Sequence, residues 1–540
     1  MWQGVTRGRV TVVFANQTSS ASHSASSDAG NQRASSIVAH HLPSIDVLAQ
    51  IRGGSIQPLR FTSSHLSNNR QQHRDPIWLP TIIYGVIIYI HAFGNSVIVL
   101  NSAKAADNLL EKRGAIYSSR PERAMIRDVM GWNCLSWECP MAIRGENTEA
   151  LFRNTSTHVL LLAMNRFRSG RLTRSSATCF TATRTIIIIC AGEAPGNAAA
   201  LVMKISYGHD VAEEGDVFVT LAERAISNIM QAGIFGAYLV DYIPMLKHVP
   251  HWFPGAGFKR QGREWMKDSR AMLDKPYELV KEQMASGTAG PSVMTIELEN
   301  LSSSKDVDIT TIKNIAAISY AAGADTTVST MMTFFLSMML HPEYQRKAQE
   351  EIDRVVGPGR LPDFNNRDQL PHINNIVWEC LRWNPILPLA VPHATTQDDV
   401  YEGYWISKGT TIIPNIWAMF HDETKHPDAF AFKPERFEDE KKNMELGTNN
   451  LPHIVFGFGR RVCPGRWLAF DSLWITIASV LSVYTVSKPK DVNGAVIEPE
   501  IEFTNGVVSR PKTFKCSVFP RSEASLALIK QTEDERDMAN

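Results

Sequence analysis

Polar residues hold the start of the chain. From residue 1 to about 75 no apolar period is sustained, and Ser19, Ser20, Ser22, Ser24, Ser26 and Ser27 crowd one stretch. Such a composition buries too little apolar surface to offset the entropy of ordering a backbone, so residues 1–75 read as disordered. The pattern changes at Ile82. Ile82 to Ile90 is rich in β-branched and aromatic residues, Phe93-Gly94-Asn95 supplies a turn, and Ser96 to Leu100 is a second such run. Together they predict a β-hairpin. Ser102 then stands where a helix to about Arg113 would be capped.

Helical spacing dominates later. Helices are expected from about Ala198 to Tyr242 and from about Lys259 to Met284, separated by a Pro- and Gly-rich loop at 250–257. Asp308 to Leu340 reads as one long helix that stops at His341-Pro342. Its apolar content would suit a membrane span, but Lys313, Asn314 and Asp325 argue for a helix buried in protein. Amphipathic helices follow at Glu343 to Val356 and Pro371 to Trp383. Strand-like runs lie at Leu387 to Ala394 and Thr411 to Pro414, and an apolar helix at Arg466 to Val483. Phe503 to Val508 suggests a hairpin, and the chain after Arg521 a polar, frayed tail. The sum is a mainly α chain with a smaller β part.

One stretch breaks this order. Residues 134–197 show poor periodicity, with seven Arg, no Lys, no Asp and four of the seven cysteines. Ile186-Ile187-Ile188-Ile189 is an odd run within it. A frame-shifted or wrongly spliced segment is the expectation there, with a divergent insertion as the alternative.

Composition narrows the classes. Of 540 residues, 44% are hydrophobic and 20% charged, as in ordinary globular proteins. Fifty-five basic and 55 acidic residues cancel, so nothing points to nucleic acid. Seven thinly spread cysteines form no disulfide framework and fit a reducing compartment. Arg7 and Arg9 precede the first acid, Asp28, a faint transit-peptide pattern.

The chemistry concentrates in Phe456-Gly457-Phe458-Gly459-Arg460-Arg461-Val462-Cys463-Pro464-Gly465. Two glycines let the backbone approach something large and flat. Cys463 precedes a helix, whose positive end favours a thiolate. Such a thiolate is a metal ligand or a nucleophile. The aromatic and basic lead-in suits a planar anionic ligand better, since Phe456 can pack on a ring and Arg461 can reach a carboxylate. Haem has both features and accepts an axial cysteine.

With these residues the chain resembles a cytochrome P-450, a haem-thiolate monooxygenase, of fungal type. Phe456, Gly459, Arg461, Cys463 and Gly465 fall on that family's haem-binding signature. The resemblance covers residues 76–522, with a hole at 134–197 and a polar tail at 523–540. It implies the family fold, a long central helix over haem b. Ala322-Gly323-Ala324-Asp325-Thr326-Thr327 would be the oxygen groove. There Gly323 would leave room for dioxygen, Thr326 would hydrogen-bond the bound oxygen, and Asp325 would relay protons. Glu379, Arg382 and Arg436 would form a buried scaffold, and His393 would donate to a haem propionate. Ile386, Leu387 and Leu389 match positions lining the substrate cavity, and the tip of the 503–508 hairpin would enter it. The family's Trp-x-x-x-Arg pair for a propionate is missing, because the sole match, Trp378 to Arg382, belongs to the scaffold motif.

The implied reaction inserts one oxygen atom from O2 into a small apolar organic substrate, with electrons from NADPH through a partner reductase. Arg460, Arg461 and Arg466 would form its basic docking face. The family default is the endoplasmic reticulum membrane, yet residues 1–75 hold no run of about 20 apolar residues to serve as its usual anchor. Apolar residues on the 250–257 loop would allow peripheral membrane contact instead. Two rivals stay open. One is a haem-thiolate peroxide isomerase or dehydratase, against which Asp325-Thr326 argues. The other is a non-functional chain whose haem site the 134–197 segment disrupts.

Overall fold

A computed structural model describes residues 11–15, 47–49, 57–59, 85–92, 94–132, 200–212, 215–234, 236–300, 309–439 and 451–537. The anomalous stretch at 134–197 lies outside the described residues. So does most of the region expected to be disordered. Three short strands are described within it: β1 (Thr11–Ala15), β2 (Val47–Ala49) and β3 (Gln57–Leu59). Thr11-Val12-Val13 is a β-branched run, and β1 pairs antiparallel with the hairpin strand β4 (Ile87–Ala92).

The expected hairpin is present. β4 pairs with β5 (Asn95–Leu100), Tyr89 opposite Ile98, around a turn where Gly94 adopts φ +79. β5 continues the sheet through non-local partners. It runs parallel to β9 (Thr411–Pro414), which in turn pairs with β6 (His393–Ala394). Only those two residues of the strand-like run 387–394 pair, because Pro388 and Pro392 cannot donate to a ladder.

Helices build the rest. α1 (Ala103–Ala106) widens into a π turn at Asp107–Glu111; Ser102 holds its N-cap position without a side-chain bond. After α2 (Gly114–Tyr117) and α3 (Ala200–Tyr207) comes α4 (Val217–Gly233). Asp216 caps α4, accepting from the amides of Phe218 and Val219. α5 (Gly257–Ser286) ends on Gly287 in the left-handed region, and α6 (Val293–Asn300) follows. α7 (Ile309–Leu340) is the long helix, unbroken to the proline that opens α8 (Pro342–Val355). α9 (Pro371–Trp383), α10 (Ile416–Phe420) and α11 (Arg466–Val483) complete the body. The expected frayed tail instead forms α12 (Glu523–Asp537), docked by buried Ile529 against Val483.

α7 runs through two cores. Its first half packs with α4 and α5 through Ile229, Leu273, Ile312 and Tyr320. Its second half packs with α8, α9 and α11 through Phe334, Phe335, Ile376 and Trp474. Each such side chain contributes roughly 1.5–3 kcal/mol by leaving water. α11 is long and apolar enough to cross a membrane, but 72% of it is buried in this protein core.

Candidate active site

The cysteine loop is closed by its own backbone. The Cys463 amide donates to the Phe456 carbonyl at 2.7 Å, and Gly457 at φ +85 makes the reversal between them. The loop is pressed onto the π turn after α1. The Gly459 amide donates to Glu111 Oε2 at 2.5 Å, and a Cβ at Gly459 would stand 2.3 Å from the Leu110 carbonyl oxygen. Gly465 caps α11, three residues after Phe458-Gly459-Arg460-Arg461-Val462 have delivered the sulfur to the helix start. Burial pushes the Cys463 thiol up, while the Gly465 amide and Arg466 act the other way. A metal cation bound at the sulfur would favour the thiolate, because it displaces the proton.

Basic groups gather beside the loop. Arg461 Nε donates to the Ser118 carbonyl at 2.8 Å, and Arg120 Nη1 donates to the carbonyls of Val391 and Pro392. His393, 3% exposed, donates from Nδ1 to the Tyr117 carbonyl at 2.8 Å. Burial first, then Arg120 and Arg461, hold its pKa well below the ordinary value. With Nδ1 engaged by that carbonyl, Nε2 is the ring nitrogen left for the propionate role that the resemblance implies. Arg120 was not singled out in the sequence; its only signal was the Arg120-Pro121 step after a polar run.

On α7 the two halves of the expected oxygen groove separate. Ala322 is exposed and Thr326 half-buried, one turn apart on an open face. Thr326 Oγ1 donates to the Ala322 carbonyl at 2.8 Å, which leaves the hydroxyl oxygen to accept. Gly323 does not open that face. A Cβ there would meet both methyl groups of Val202 at 3.2 Å, so this glycine lets α3 approach α7 closely. Asp325 pairs with Arg510 Nη1 at 3.1 Å; burial raises its pKa and Arg510 opposes the rise.

The scaffold that the resemblance implied is present. Glu379 and Arg382 are fully buried and joined twice, Nε to Oε2 at 2.7 Å and Nη2 to Oε1 at 2.8 Å. Arg436 Nε adds a third contact at 3.1 Å. Arg382 also reaches the carbonyls of Phe420 and Ala429, tying α9 to α10 and the segment beyond. The 503–508 hairpin is a loop bridged at Phe503 and Pro511. Its tip residue Val507 packs against Gly233 at the end of α4. Of the three docking arginines, Arg461 turns inward, Arg460 is exposed, and Arg466 lies over Trp467.

These residues fit haem. Among the described residues no group of three His, Cys, Asp or Glu could hold a bare metal ion. One half-buried sulfur in a glycine-opened loop, with Arg120 and Arg461 beside it, matches a flat iron group bearing carboxylates. The loop residues Phe456, Gly459, Arg461, Cys463 and Gly465 are brought together. Asp325 and Thr326 lie on α7, which packs directly on α11.

Known proteins resemble this chain in sequence. The family profile described as "Cytochrome P450" matches residues 197–518 and begins where the anomalous stretch ends. Cytochrome P450 monooxygenase 98 of Postia placenta is 38% identical, over 83% of this chain and 86% of its own. Cytochrome P450 monooxygenase 208 of the same fungus is 39% identical, over 84% and 87%. Cytochrome P450 monooxygenase claR of Ampulloclitocybe clavipes is 38% identical, over 84% and 83%.

Proposed function

This chain belongs to the cytochrome P450 family, and from that premise we propose that it inserts one oxygen atom from O2 into a small apolar substrate, using NADPH-derived electrons from a reductase. The observation that carries the reading is Cys463, held by a backbone-closed loop whose Gly459 admits no side chain. Bound there, haem supplies the iron at which dioxygen is activated. The chain's residues hold and feed that centre. Cys463 would ligate it, Arg461 and Arg120 lie beside the loop where they could meet its carboxylates, Thr326 offers a hydroxyl, and Asp325 is a carboxyl one residue away. Secondary metabolism in a fungus fits the relatives. Leu239, Met245, Trp252 and Phe253 are exposed on one segment, which supports peripheral contact with a bilayer. Exposed Arg460 supports docking of an acidic reductase; Arg460→Glu should slow reduction and weaken its salt dependence.

A second reading is that this polypeptide loads no haem. It is favoured by the missing Trp-x-x-x-Arg pair, since Arg382 is committed to Glu379. One experiment separates the readings. The purified chain is reduced and exposed to carbon monoxide. A red-shifted thiolate Soret band with reductase-dependent turnover supports the monooxygenase. Peroxide rearrangement alone would indicate an isomerase, and no band at all would establish the second reading.

A further inference from the structure

The sequence holds two Asn-Gly steps, Asn493-Gly494 and Asn505-Gly506, and the fold treats them differently. Asn493 and Gly494 are exposed, but their turn holds their nitrogens. The Gly494 amide donates to the Asp491 carbonyl at 3.0 Å, and the Asn493 and Ala495 amides donate to Asp491 Oδ1 at 2.9 Å. The loop around Asn505 is tied only at its base. The Thr504 amide donates to the Arg510 carbonyl at 2.8 Å. Thr504 Oγ1 donates to the Val508 carbonyl and accepts from the Arg510 amide, each at 3.1 Å. Among the described residues the Gly506 amide has no hydrogen-bond partner, and the exposed Asn505 side chain beside it has none either.

We propose that Asn505 is a site of spontaneous deamidation, through which the loop that touches α4 acquires a negative charge. The Gly506 nitrogen attacks the carbonyl carbon of the Asn505 side chain. A C–N bond forms, and the side-chain nitrogen leaves as ammonia, carrying the Gly506 hydrogen. Solvent water then opens the cyclic imide. Cleavage at the side-chain carbonyl gives aspartate, and cleavage at the main-chain carbonyl gives isoaspartate. No electrons are transferred, and the step needs water alone, so it is independent of haem. Glycine permits the attack because no Cβ crowds its nitrogen. A nitrogen whose hydrogen is held by a carbonyl gives it up less readily, as slowed hydrogen exchange shows, and this sets Asn493 apart. Isoaspartate also lengthens the main chain by one methylene inside a loop whose ends are tied. Val507 feels that change, since its Cγ2 lies 3.0 Å from where a Cβ on Gly233 would stand. Arg510, at the closing end of the loop, pairs with Asp325.

Ageing the full chain tests this. The protein is held in mildly alkaline buffer and digested, and its peptides are read by mass spectrometry for replacement of an amide by an acid. An isoaspartyl methyltransferase with labelled S-adenosylmethionine counts the isoaspartate. Asn505 should convert severalfold faster than Asn493. In urea, where both glycine amides are free, the two rates should converge. Gly506→Ala should slow Asn505 severalfold and leave Asn493 unchanged. The fold accommodates that variant, because the new Cβ meets only the Val508 carbonyl oxygen, at 3.7 Å. Hydrogen exchange across 504–510 should rise in the aged chain and hold steady in aged Gly506→Ala. Equal rates in the folded chain, or a difference that persists in urea, overturns the proposal. So does an Asn505 rate unmoved by Gly506→Ala. Unchanged exchange in the aged chain overturns the effect on the loop.

Discussion

Gly459 lies so close to Leu110 that a methyl group on its Cα would stand 2.3 Å from the Leu110 carbonyl oxygen. A backbone oxygen in a π turn cannot step aside as a flexible side chain can. The φ of +53 at Gly459 adds a second penalty for any other residue. Gly459→Ala should therefore lift the cysteine loop off Glu111, at a cost of about 1–3 kcal/mol. The measurement is haem per polypeptide. We expect most of it to be lost while helix content by circular dichroism holds. Full loading in the variant would show that the loop can yield.

Glu379, itself fully buried, accepts from Arg382, from Arg436 and from the Lys433 amide. Glu379→Gln keeps the shape and removes the anion, leaving two guanidinium groups short of a counter-charge. Breaking a buried pair in this way costs about 3–5 kcal/mol. The thermal midpoint should drop by several degrees, and Arg382→Lys should drop it too, because lysine cannot span both oxygens and two carbonyls. A wild-type midpoint in Glu379→Gln would remove this network from the account of stability.

Which features were legible follows from how local their causes are. Proline at the first turn fixed the start of α9, and His341-Pro342 fixed the end of α7, so both could be read off the chain. The scaffold triad was legible through the family resemblance, since the three-residue spacing of Glu379 and Arg382 alone gives only a shared helix face. What escaped depends on distant partners. The hydrogen-bond partner of His393 lies 276 residues away, and the partner of Asp325 lies 185 residues away. Gly323 looked like space for a small molecule because a glycine in a sequence does not say what fills its gap. Val202 does. The tail looked frayed because Ile529 is a single anchor in a polar run.

Arg123 and Asp241 form a clasp between the segment before the second π turn, Met125–Val129, and the loop after α4. Arg123 donates to the Ala232 and Gly233 carbonyls and lies 3.4 Å from Asp241, with the two side chains 11% and 7% exposed. Asp241 in turn accepts from the Met125 amide at 2.8 Å. Nearby, Lys247 pairs with Asp128, but those side chains are 31% and 26% exposed. Burial decides which pair matters. Arg123→Gln should speed hydrogen exchange across 232–248 by well over tenfold, while Asp128→Asn should change it little, as exposed pairs contribute only about 0–1 kcal/mol. Equal effects from the two variants would contradict this ranking.

Buried histidines should make the fold sensitive to acid. Burial holds His372 down to about 4, and His421 and His426 down to about 3, against an ordinary value of 6.5. Arg382 and Arg436 add repulsion at the latter two. Below 6.5 the unfolded chain binds protons that the folded chain refuses. Their contribution to stability is therefore complete above 6.5 and is lost as pH falls toward 4 and 3. Each fully titrating histidine gives a slope of about 1.4 kcal/mol per pH unit. His421 is tied in, donating to the Trp417 carbonyl and stacked on its ring at 4.2 Å. His426 is not, because its Nε2 is buried without a partner. His426→Leu removes both a titrating group and a buried polar atom. Urea unfolding at about pH 7 and pH 5.5 should show a shallower fall for this variant than for wild type. Parallel falls would place the acid sensitivity in other groups.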